Sequence, residues 1–152
     1  MLFRSDGKVL LEDFLPGEEA SMLGRMDESA VIYLPPSQDH KRVGEGDVGL
    51  NTGGMGAYCP APVITDEVRD KVMERIVGPM HIGLSSQVNP YRGVLYVGLM
   101  IDSQGDPYVV EFNVRFGDPE CQVTMPLISS DVYHLLAAAA AGSPHPPEAS
   151  SS

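Results

Sequence analysis

The stretch Pro107-Tyr108-Val109-Val110-Glu111-Phe112-Asn113-Val114-Arg115 leads into Phe116-Gly117-Asp118-Pro119-Glu120. After its proline, the stretch opens with an aromatic and two β-branched residues, which is typical of a buried strand. If that strand continues, Glu111, Asn113 and Arg115 fall at positions i, i+2 and i+4 and share one face. The aromatic and valine residues between them then anchor the opposite face.

The polar face of this predicted strand carries the donors that a metal and phosphate site requires. Glu111 and Asn113 offer hard oxygen ligands to Mg²⁺, which favours one or two carboxylates together with substrate phosphates. Arg115 can pair its planar guanidinium with the remaining phosphate or carboxylate charge. The alternative is a solvated strand face that ends in a turn over 117–119.

The composition excludes several classes of function. The chain has 152 residues and is 43% hydrophobic, which fits one soluble globular domain. A formal net charge of −11 argues against a nucleic-acid partner or an anionic-membrane surface. No apolar run approaches the ~18–20 residues of a membrane span, and the N-terminus lacks a signal-peptide core. Cys59 and Cys121 lie outside any C-x-x-C pattern, so we expect free thiols in a cytoplasmic protein.

Alternating and helical patterns predict an α+β fold with a mostly antiparallel sheet. The predicted strands are 8–15, 18–26, 30–35, 93–102 and 107–113, with hairpin turns at 27–29 and 103–106. A helix is predicted over about 65–78, capped by Thr65 and ending before Gly78-Pro79, with a polar loop over 83–92. A second helix is predicted over 131–141, capped by Ser129, Ser130 or Asp131 and ended by Gly142. The tail over 143–152 is expected to be disordered.

Four carboxylates crowd the first predicted strand–turn–strand, namely Glu12, Asp13, Glu18 and Glu19. They could form a solvated acidic edge. They could instead form a nucleotide edge, where strand-end backbone pairs with a base and a carboxylate accepts hydrogen bonds from ribose hydroxyls. Repulsion among like charges makes a purely structural arrangement mildly unfavourable, which favours the nucleotide edge without deciding between the two.

Residues 37–58 (SQDHKRVGEGDVGLNTGGMGAY) form the least ordinary segment and hold six of the 16 glycines. A loop of about 20 residues is uncommon in a compact domain and is usually functional or disordered. Asp39-His40-Lys41-Arg42 places two cations beside an imidazole. Asn51-Thr52-Gly53-Gly54-Met55-Gly56 lets backbone N–H groups approach an anion closely. The segment therefore predicts a site for a phosphorylated or carboxylated substrate, with a simple surface loop as the alternative and only a minor role for His40.

Three stretches, in chain order, carry a resemblance to a known family. DFLPGEEAS (13–21), the segment 37–58 and EFNVRFGDPECQ (111–122) resemble glycinamide ribonucleotide synthetase, the phosphoribosylamine–glycine ligase family of ATP-grasp enzymes. The resemblance runs from about Val9 to Leu136. It implies a fragment of an ATP-grasp fold and an ATP-dependent ligase of de novo purine synthesis, which phosphorylates glycine and then joins it to 5-phosphoribosylamine.

The resemblance also implies roles for individual residues. The segment from Glu12 to Leu15 would lie along the adenine, and Glu18 or Glu19 would bind the ribose hydroxyls. Glu111 and Asn113 would ligate the Mg²⁺ or Mn²⁺ that bridges the ATP phosphates.

The remaining implied roles concern the substrates. Arg115 would neutralise charge at the transferred phosphoryl group, and Lys41 and Arg42 would meet the substrate phosphate. Asp118 and Glu120 would orient the amine substrates. The other substrate-binding candidates are Asp39, His40, Asn51, Thr52, Gly53, Gly54, Met55 and Gly56.

The resemblance covers only part of the family's pattern. Residues 1–142 would form a partial ATP-grasp domain, made of the end of the small subdomain and the catalytic subdomain. The family's N-terminal and C-terminal domains would be missing partners, so we expect weak ATP binding and exposed apolar surface. Two alternatives stay open: another ATP-grasp carboxylate–amine ligase, and a non-catalytic nucleotide-binding fragment.

Overall fold

The computed structural model describes residues 11, 13–46 and 48–142. In chain order, the strands are β1 (Glu18–Met26), β2 (Val31–Tyr33), β3 (Gln38–Asp39), β4 (Arg42–Gly44), β5 (Val48–Asn51), β6 (Ala57–Tyr58), β7 (Gly93–Ile101) and β8 (Pro107–Asn113). The helices are α1 (Asp66–Val72), α2 (Gly78–Ser85), α3 (Glu120–Thr124) and α4 (Val132–Ala141). A π-helical segment (Met73–Val77) joins α1 to α2, and a 3₁₀ turn (Met125–Leu127) follows α3.

The main sheet has four antiparallel strands in the order β2-β1-β7-β8. β1 and β7 pair without interruption from Glu18 opposite Ile101 to Met26 opposite Gly93. The β1–β2 hairpin closes through Asp27, whose Oδ1 accepts hydrogen bonds from the backbone N–H groups of Ser29 (2.8 Å) and Ala30 (2.9 Å). The α+β fold, the mostly antiparallel sheet and both predicted hairpins are therefore confirmed.

One face of the sheet is covered by the helix that runs from α1 through the π-helical segment to α2. The side chains buried between them are Met22, Met26, Val68, Val72, Val77, Leu95, Val97, Leu99 and Ile101. Burial of apolar surface at this face is the main stabilising contribution to the fold, at about 25 cal/mol per Å² removed from water.

The predicted end of this helix before Gly78-Pro79 is wrong, because α2 continues to Ser85. The Gly78 N–H donates to the carbonyl of Met73, which is the i→i+5 bond of a π-helical turn. Pro79 then falls in the first turn of α2, where a missing N–H costs little. The polar loop predicted over 83–92 accordingly begins later than expected.

The opposite face of the sheet packs against α4 through Leu23, Leu34, Val94, Tyr96 and Leu135. Asp131 caps α4 by accepting a hydrogen bond from the N–H of His134 at 3.1 Å. Gly142 ends the helix with φ 65°, a left-handed conformation that glycine adopts readily. This predicted helix is confirmed at both ends, with Asp131 as the cap among the three candidates.

For three other segments, all in the first half of the chain, the structure differs from the prediction or describes only part of it. Residues 11 and 13–15 are not in a strand, while 8–10 and Glu12 lie outside the described residues. The strand predicted over 30–35 is only three residues long. The predicted loop 37–58 is held by two short ladders, β3 with β6 and β4 with β5.

The predicted disordered tail, 143–152, lies outside the described residues. Within the described ranges, no helix is long and apolar enough to cross a membrane. Cys59 and Cys121 are both free thiols, as predicted.

Candidate functional site

The two motifs of the glycine-rich segment lie side by side. The Thr52 N–H donates to the carbonyl of Lys41 at 2.6 Å, and the Met55 N–H donates to the carbonyl of His40 at 2.7 Å. The N–H of His40 in turn donates to the carbonyl of Gly56 at 2.9 Å. These bonds fold residues 51–56 back on the Asp39–Arg42 motif, so two stretches that are separate in the sequence form one surface.

Gly54 brings this surface against the turn that follows β8. Its φ of +130° is one that L side chains rarely adopt. A Cβ added there would lie 2.9 Å from Cδ of Pro119 and 3.2 Å from both carboxylate oxygens of Asp39. Only a glycine allows the three segments to approach so closely.

A cleft opens where β1, β7, β8 and the glycine-rich segment meet. The polar side chains that line it are Glu19, Ser21, Asp39, Lys41, Tyr96 and Glu111. Four of these residues were singled out from three separate stretches of the sequence. The structure brings those four together, and it adds Ser21 and Tyr96, which sequence reasoning missed.

Lys41 is the cation of the cleft. Its Nζ lies 3.0 Å from Oε1 of Glu19, and both side chains are about a third exposed or less. Burial alone would lower the pKa of Lys41, but the hydrogen bond that it donates to Glu19 and the charges of Glu19, Asp39 and Glu111 raise it. The ammonium therefore stays charged among three carboxylates.

Asp39 is the most buried carboxylate on the loop side of the cleft, with 8% of its surface exposed. Burial raises the pKa of Asp39, the negative charge of Glu120 raises it further, and Lys41 opposes both effects. Its Oδ1 is buried and has no hydrogen-bond partner in the described part of the chain. Such an oxygen can accept a bond from a cationic or N–H-bearing ligand.

Glu111 reaches the cleft because β8 contains a bulge. Glu111 lies opposite Gly98 whereas Val109 lies opposite Leu99, so Val110 is an extra residue. Val110 and Glu111 both line the cleft as a result. A Cβ on Gly98 would lie 3.1 Å from Cγ of Glu111, so the missing side chain leaves room for the carboxylate.

The donors of Glu111 and Asn113 fit a magnesium ion that is also bound by phosphates. The two residues are two positions apart on β8, and Mg²⁺ would bind their side-chain oxygens, since the Nδ2 amide group of Asn113 is a hydrogen-bond donor and not a magnesium ligand. No cluster of three or more His, Cys, Asp or Glu residues suited to a metal occurs within the described ranges. A dedicated all-protein metal cage is therefore not present there, while the two-donor arrangement matches Mg²⁺ held jointly with a nucleotide.

The structure does not extend the strand face to Arg115. β8 ends at Asn113, and the Arg115 guanidinium donates to the neighbouring carbonyl of Phe116 at 2.9 Å. The expected i, i+2, i+4 arrangement of three side chains on one strand is thus wrong at its last member, because the chain bends before it. Asp118 is exposed and accepts a hydrogen bond from Gln122 at 2.7 Å.

Glu120 is 3% exposed, and its Oε1 accepts hydrogen bonds from the hydroxyls of Ser21 and Tyr96, each at 3.0 Å. Its burial favours a structural contact over direct contact with an amine substrate. A serine and a tyrosine within apolar strands gave no signal from which this contact could have been predicted.

The other predicted site residues lie around the cleft or away from it. Glu18 is exposed and Leu15 is half-buried, while Glu12 lies outside the described residues. The His40 ring packs on Tyr58 with centroids 5.2 Å apart. The residues that remain largely at the surface of the loop are Arg42, Asn51, Gly53 and Met55.

The hydroxyl of Thr52 is used within the loop, since it donates to the carbonyl of Lys41 at 2.8 Å and accepts from the N–H of Gly54 at 3.1 Å. The N–H groups of residues 52, 54 and 55 therefore bond within the loop and do not point unpaired at an anion. Binding of an anion by this loop stays a prediction.

Comparison with known proteins identifies relatives over most of the chain. The sequence profile of a family described as phosphoribosylglycinamide synthetase, ATP-grasp (A) domain, matches residues 2–121. Phosphoribosylamine–glycine ligase of Salmonella typhimurium is 55% identical over 135 residues, which are 89% of this chain and 32% of that protein. The protein of the same name from Escherichia coli strain K12 is 54% identical over 132 residues, or 87% of this chain and 31% of that one.

Solved structures give the same result. The crystal structure of phosphoribosylamine–glycine ligase from Thermotoga maritima superposes with a TM-score of 0.76 at 35% identity, covering 91% of this chain and 35% of that one. A biotin carboxylase from Campylobacter jejuni superposes with a TM-score of 0.63 at 18% identity, over 90% of this chain and 28% of its own, which shows a shared fold alone. The chain spans about a third of the length of the curated relatives it matches.

Proposed function

The chain belongs to the phosphoribosylglycinamide synthetase ATP-grasp (A) domain family, and we propose that it supplies the metal- and phosphate-facing part of an ATP-dependent ligase that joins glycine to 5-phosphoribosylamine. The observation that carries this proposal is the convergence of Glu111, Asp39, Lys41 and Glu19 on one cleft. The relatives named phosphoribosylamine–glycine ligase support the choice of substrates.

In the proposed reaction, a carboxylate oxygen of glycine attacks the γ-phosphorus of ATP, and the bond to ADP breaks. The amine of 5-phosphoribosylamine then attacks the resulting acyl phosphate, releases phosphate and loses a proton to give glycinamide ribonucleotide. The chain contributes positioning and electrostatic stabilisation. Glu111 and Asn113 would hold Mg²⁺ or Mn²⁺, which neutralises charge on the phosphate oxygens when bound.

The remaining roles belong to groups around the cleft. Glu19 faces the cleft and Glu18 is exposed, which favours Glu19 as the acceptor for ribose hydroxyls once Lys41 releases it. Lys41 would then be available to a phosphate or acyl-phosphate oxygen, and the unpartnered oxygen of Asp39 to an amine. Arg115 and Arg42 stay candidates for the transferred phosphoryl group and the substrate phosphate.

The proposal extends to the partners and the compartment. Because the chain spans 32% of the length of a curated relative, we propose that turnover requires the other domains of the ligase. An ATP-dependent step of purine biosynthesis, together with free thiols at Cys59 and Cys121, supports a cytoplasmic location.

Titration with Mn²⁺ and ATP, followed by the electron paramagnetic resonance signal of the free ion, tests this proposal. Glu111→Gln should weaken Mn²⁺ binding at least about tenfold, because Glu111 is the only negatively charged ligand of the Glu111 and Asn113 pair. Glu45→Gln is the matched control, since it removes an exposed carboxylate from the turn between β4 and β5, and it should leave the affinity unchanged. Equal affinity in wild type and Glu111→Gln would refute the metal site.

A second measurement separates the ligase from a non-catalytic fragment. Isothermal calorimetry of the folded chain with Mg·ATP should give a binding heat that disappears in Glu111→Gln. No heat from the wild-type chain, with its circular dichroism spectrum intact, would favour a fragment without nucleotide binding.

A further inference from the structure

A buried triangle of three hydrogen-bonding side chains, Ser21, Tyr96 and Glu120, connects three elements below the cleft. The hydroxyls of Ser21 and Tyr96 lie 2.9 Å apart, and each lies 3.0 Å from Oε1 of Glu120. All three residues are at most 4% exposed. The triangle joins β1, β7 and the first residue of α3, which are far apart in the sequence.

The carboxylate of Glu120 also fixes the turn that precedes it. A Cβ added to Gly117 would collide with the Glu120 carboxylate and lie 3.0 Å from Cε2 of Tyr96. The N–H of Cys121 donates to the carbonyl of Gly117 at 3.0 Å, which closes the turn. The turn therefore rests directly on the buried triangle.

The turn over 117–120 also supports the glycine-rich segment. Cδ of Pro119 would lie 2.9 Å from a Cβ at Gly54, and that same Cβ would lie 3.2 Å from the carboxylate of Asp39. Neighbouring groups thus follow one another from Tyr96, through Glu120 and Pro119, to Gly54 and Asp39 on the far side of the cleft, with no room for a side chain at Gly54.

We infer that Ser21 and Tyr96 are positioning residues, which hold Glu120 so that Pro119 keeps the loop over 52–56 and Asp39 facing Glu111. The inference rests on the proposed function for the purpose of the cleft, but the positioning itself can be measured without any nucleotide. Burial raises the pKa of the Tyr96 phenol well above its ordinary value, so the hydroxyl remains a hydrogen-bond donor over the whole physiological range.

Hydrogen exchange of the full 152-residue chain, read by mass spectrometry, tests the inference. Glu120→Ala should speed exchange of the bonded amides of Thr52 and Met55 about tenfold, because the support of the loop is lost. Amides in the paired centres of β1 and β7 should stay within about twofold of wild type. Glu120→Gln keeps an oxygen acceptor for both hydroxyls and should restore most of the loop protection.

Tyr96→Phe and Ser21→Ala carry the test if Glu120→Ala fails to fold. Each removes one donor and keeps the packing, so each should speed loop exchange by about threefold. Two results would overturn the inference. If amide exchange at 52–56 is unchanged in these variants, the hydroxyls do not support the loop. If exchange rises as much in β1 and β7 as at 52–56, the variants only destabilise the whole fold.

A binding measurement separates this inference from the proposed function. Tyr96→Phe should leave the affinity for Mn²⁺ alone within about twofold, since Glu111 and Asn113 are unchanged, and should weaken Mn²⁺·ATP about tenfold through the displaced loop. An equal loss of affinity for Mn²⁺ alone and for Mn²⁺·ATP would contradict the inference that Tyr96 acts only through the loop. If the wild-type chain binds neither probe, the proposed function fails while the exchange result still decides the positioning.

Discussion

Two buried aspartates differ in how their charge is satisfied: Asp27 directly follows β1, and Asp39 is the last residue of β3. Asp27 is fully buried, its Oδ1 accepts hydrogen bonds from Ser29 and Ala30, and its Oδ2 lies 2.5 Å from the guanidinium of Arg25. Asp39 is nearly as buried, but its Oδ1 has no hydrogen-bond partner in the described part of the chain, and the charges of two other carboxylates, Glu120 and Glu19, act on it.

The pKa values of the two side chains shift in opposite directions. Burial raises the pKa of Asp27, but hydrogen bonds from Ser29 and Ala30 and the charge of Arg25 outweigh it, so the net shift is downward. Burial and the charge of Glu120 leave the pKa of Asp39 raised. Asp27 therefore stabilises a turn, whereas Asp39 carries its buried charge at a cost in stability, and its role toward a substrate stays a prediction.

The largest expected effect comes from removing the satisfied aspartate. Asp27→Ala should lower the free energy of unfolding by about 3–5 kcal/mol, because it leaves the Arg25 charge buried without its partner. Urea unfolding followed by circular dichroism measures this loss. A loss below about 1 kcal/mol would mean that the turn does not depend on the ion pair.

The wild-type chain should also show the contribution of Asp27 in its pH dependence. Because the pKa of Asp27 is lowered on folding, its stabilising contribution is present above the unfolded pKa and is lost as the pH falls through the folded value.

Truncation of a buried leucine gives a free energy of unfolding with which the loss in Asp27→Ala can be compared. Leu99→Ala should cost about 3 kcal/mol, because Leu99 is completely buried between the sheet and the long helix. Leu50→Ala is the matched control: Leu50 is 81% exposed, and its removal should change the stability by less than about 0.5 kcal/mol. Similar losses in the two variants, measured by urea unfolding, would contradict the assigned core.

The unsatisfied aspartate should behave in the opposite way. Asp39→Asn should stabilise the chain by about 1 kcal/mol at pH 7, because it removes a buried charge without a full set of partners. Since the pKa of Asp39 is raised on folding, the wild-type penalty is present at neutral pH and is relieved as the pH falls through the folded value. Thermal melts should therefore show a gain at pH 7 that shrinks on acidification; a loss of stability at pH 7 would reverse the comparison.

The smallest effect concerns the cation between the cleft carboxylates. Lys41→Gln should cost about 0.5 kcal/mol, as is usual for a partly exposed ion pair. The cost should be smaller still in an Asp39→Asn background, because Lys41 offsets the charge of Asp39. A double-mutant cycle measures this coupling, and strict additivity would show that Lys41 acts on Glu19 alone.

Local patterns predicted those parts of the fold that depend on neighbours in the chain. The paired strands β1, β7 and β8, the hairpin turn at Asp27 and the caps of α4 all follow from period, turn residues and capping side chains. The long helix was predicted only to Gly78, because a proline normally ends a helix and the sequence carries no mark of the π-helical turn that accommodates it.

The candidate site was predicted in its ingredients but not in its arrangement. Glu111 and Asn113 were predicted as metal ligands because side chains at i and i+2 on a strand share a face, and that spacing is a property of any strand. Ser21 and Tyr96 were missed because their partner, Glu120, is 99 and 24 residues away, and hydrogen bonds at such separations leave no local pattern.

The sequence alone thus predicted the α+β class, the long strands β1, β7 and β8, and a set of candidate residues for a metal and phosphates, since these depend on chemistry within a few residues. Tertiary packing determined the bulge at Val110, the close approach of Gly54 to Asp39 and Pro119, and the lack of a hydrogen-bond partner for Oδ1 of Asp39 among the described residues. Each of these arises where distant segments compete for the same space, and such competition exists only once the chain is folded.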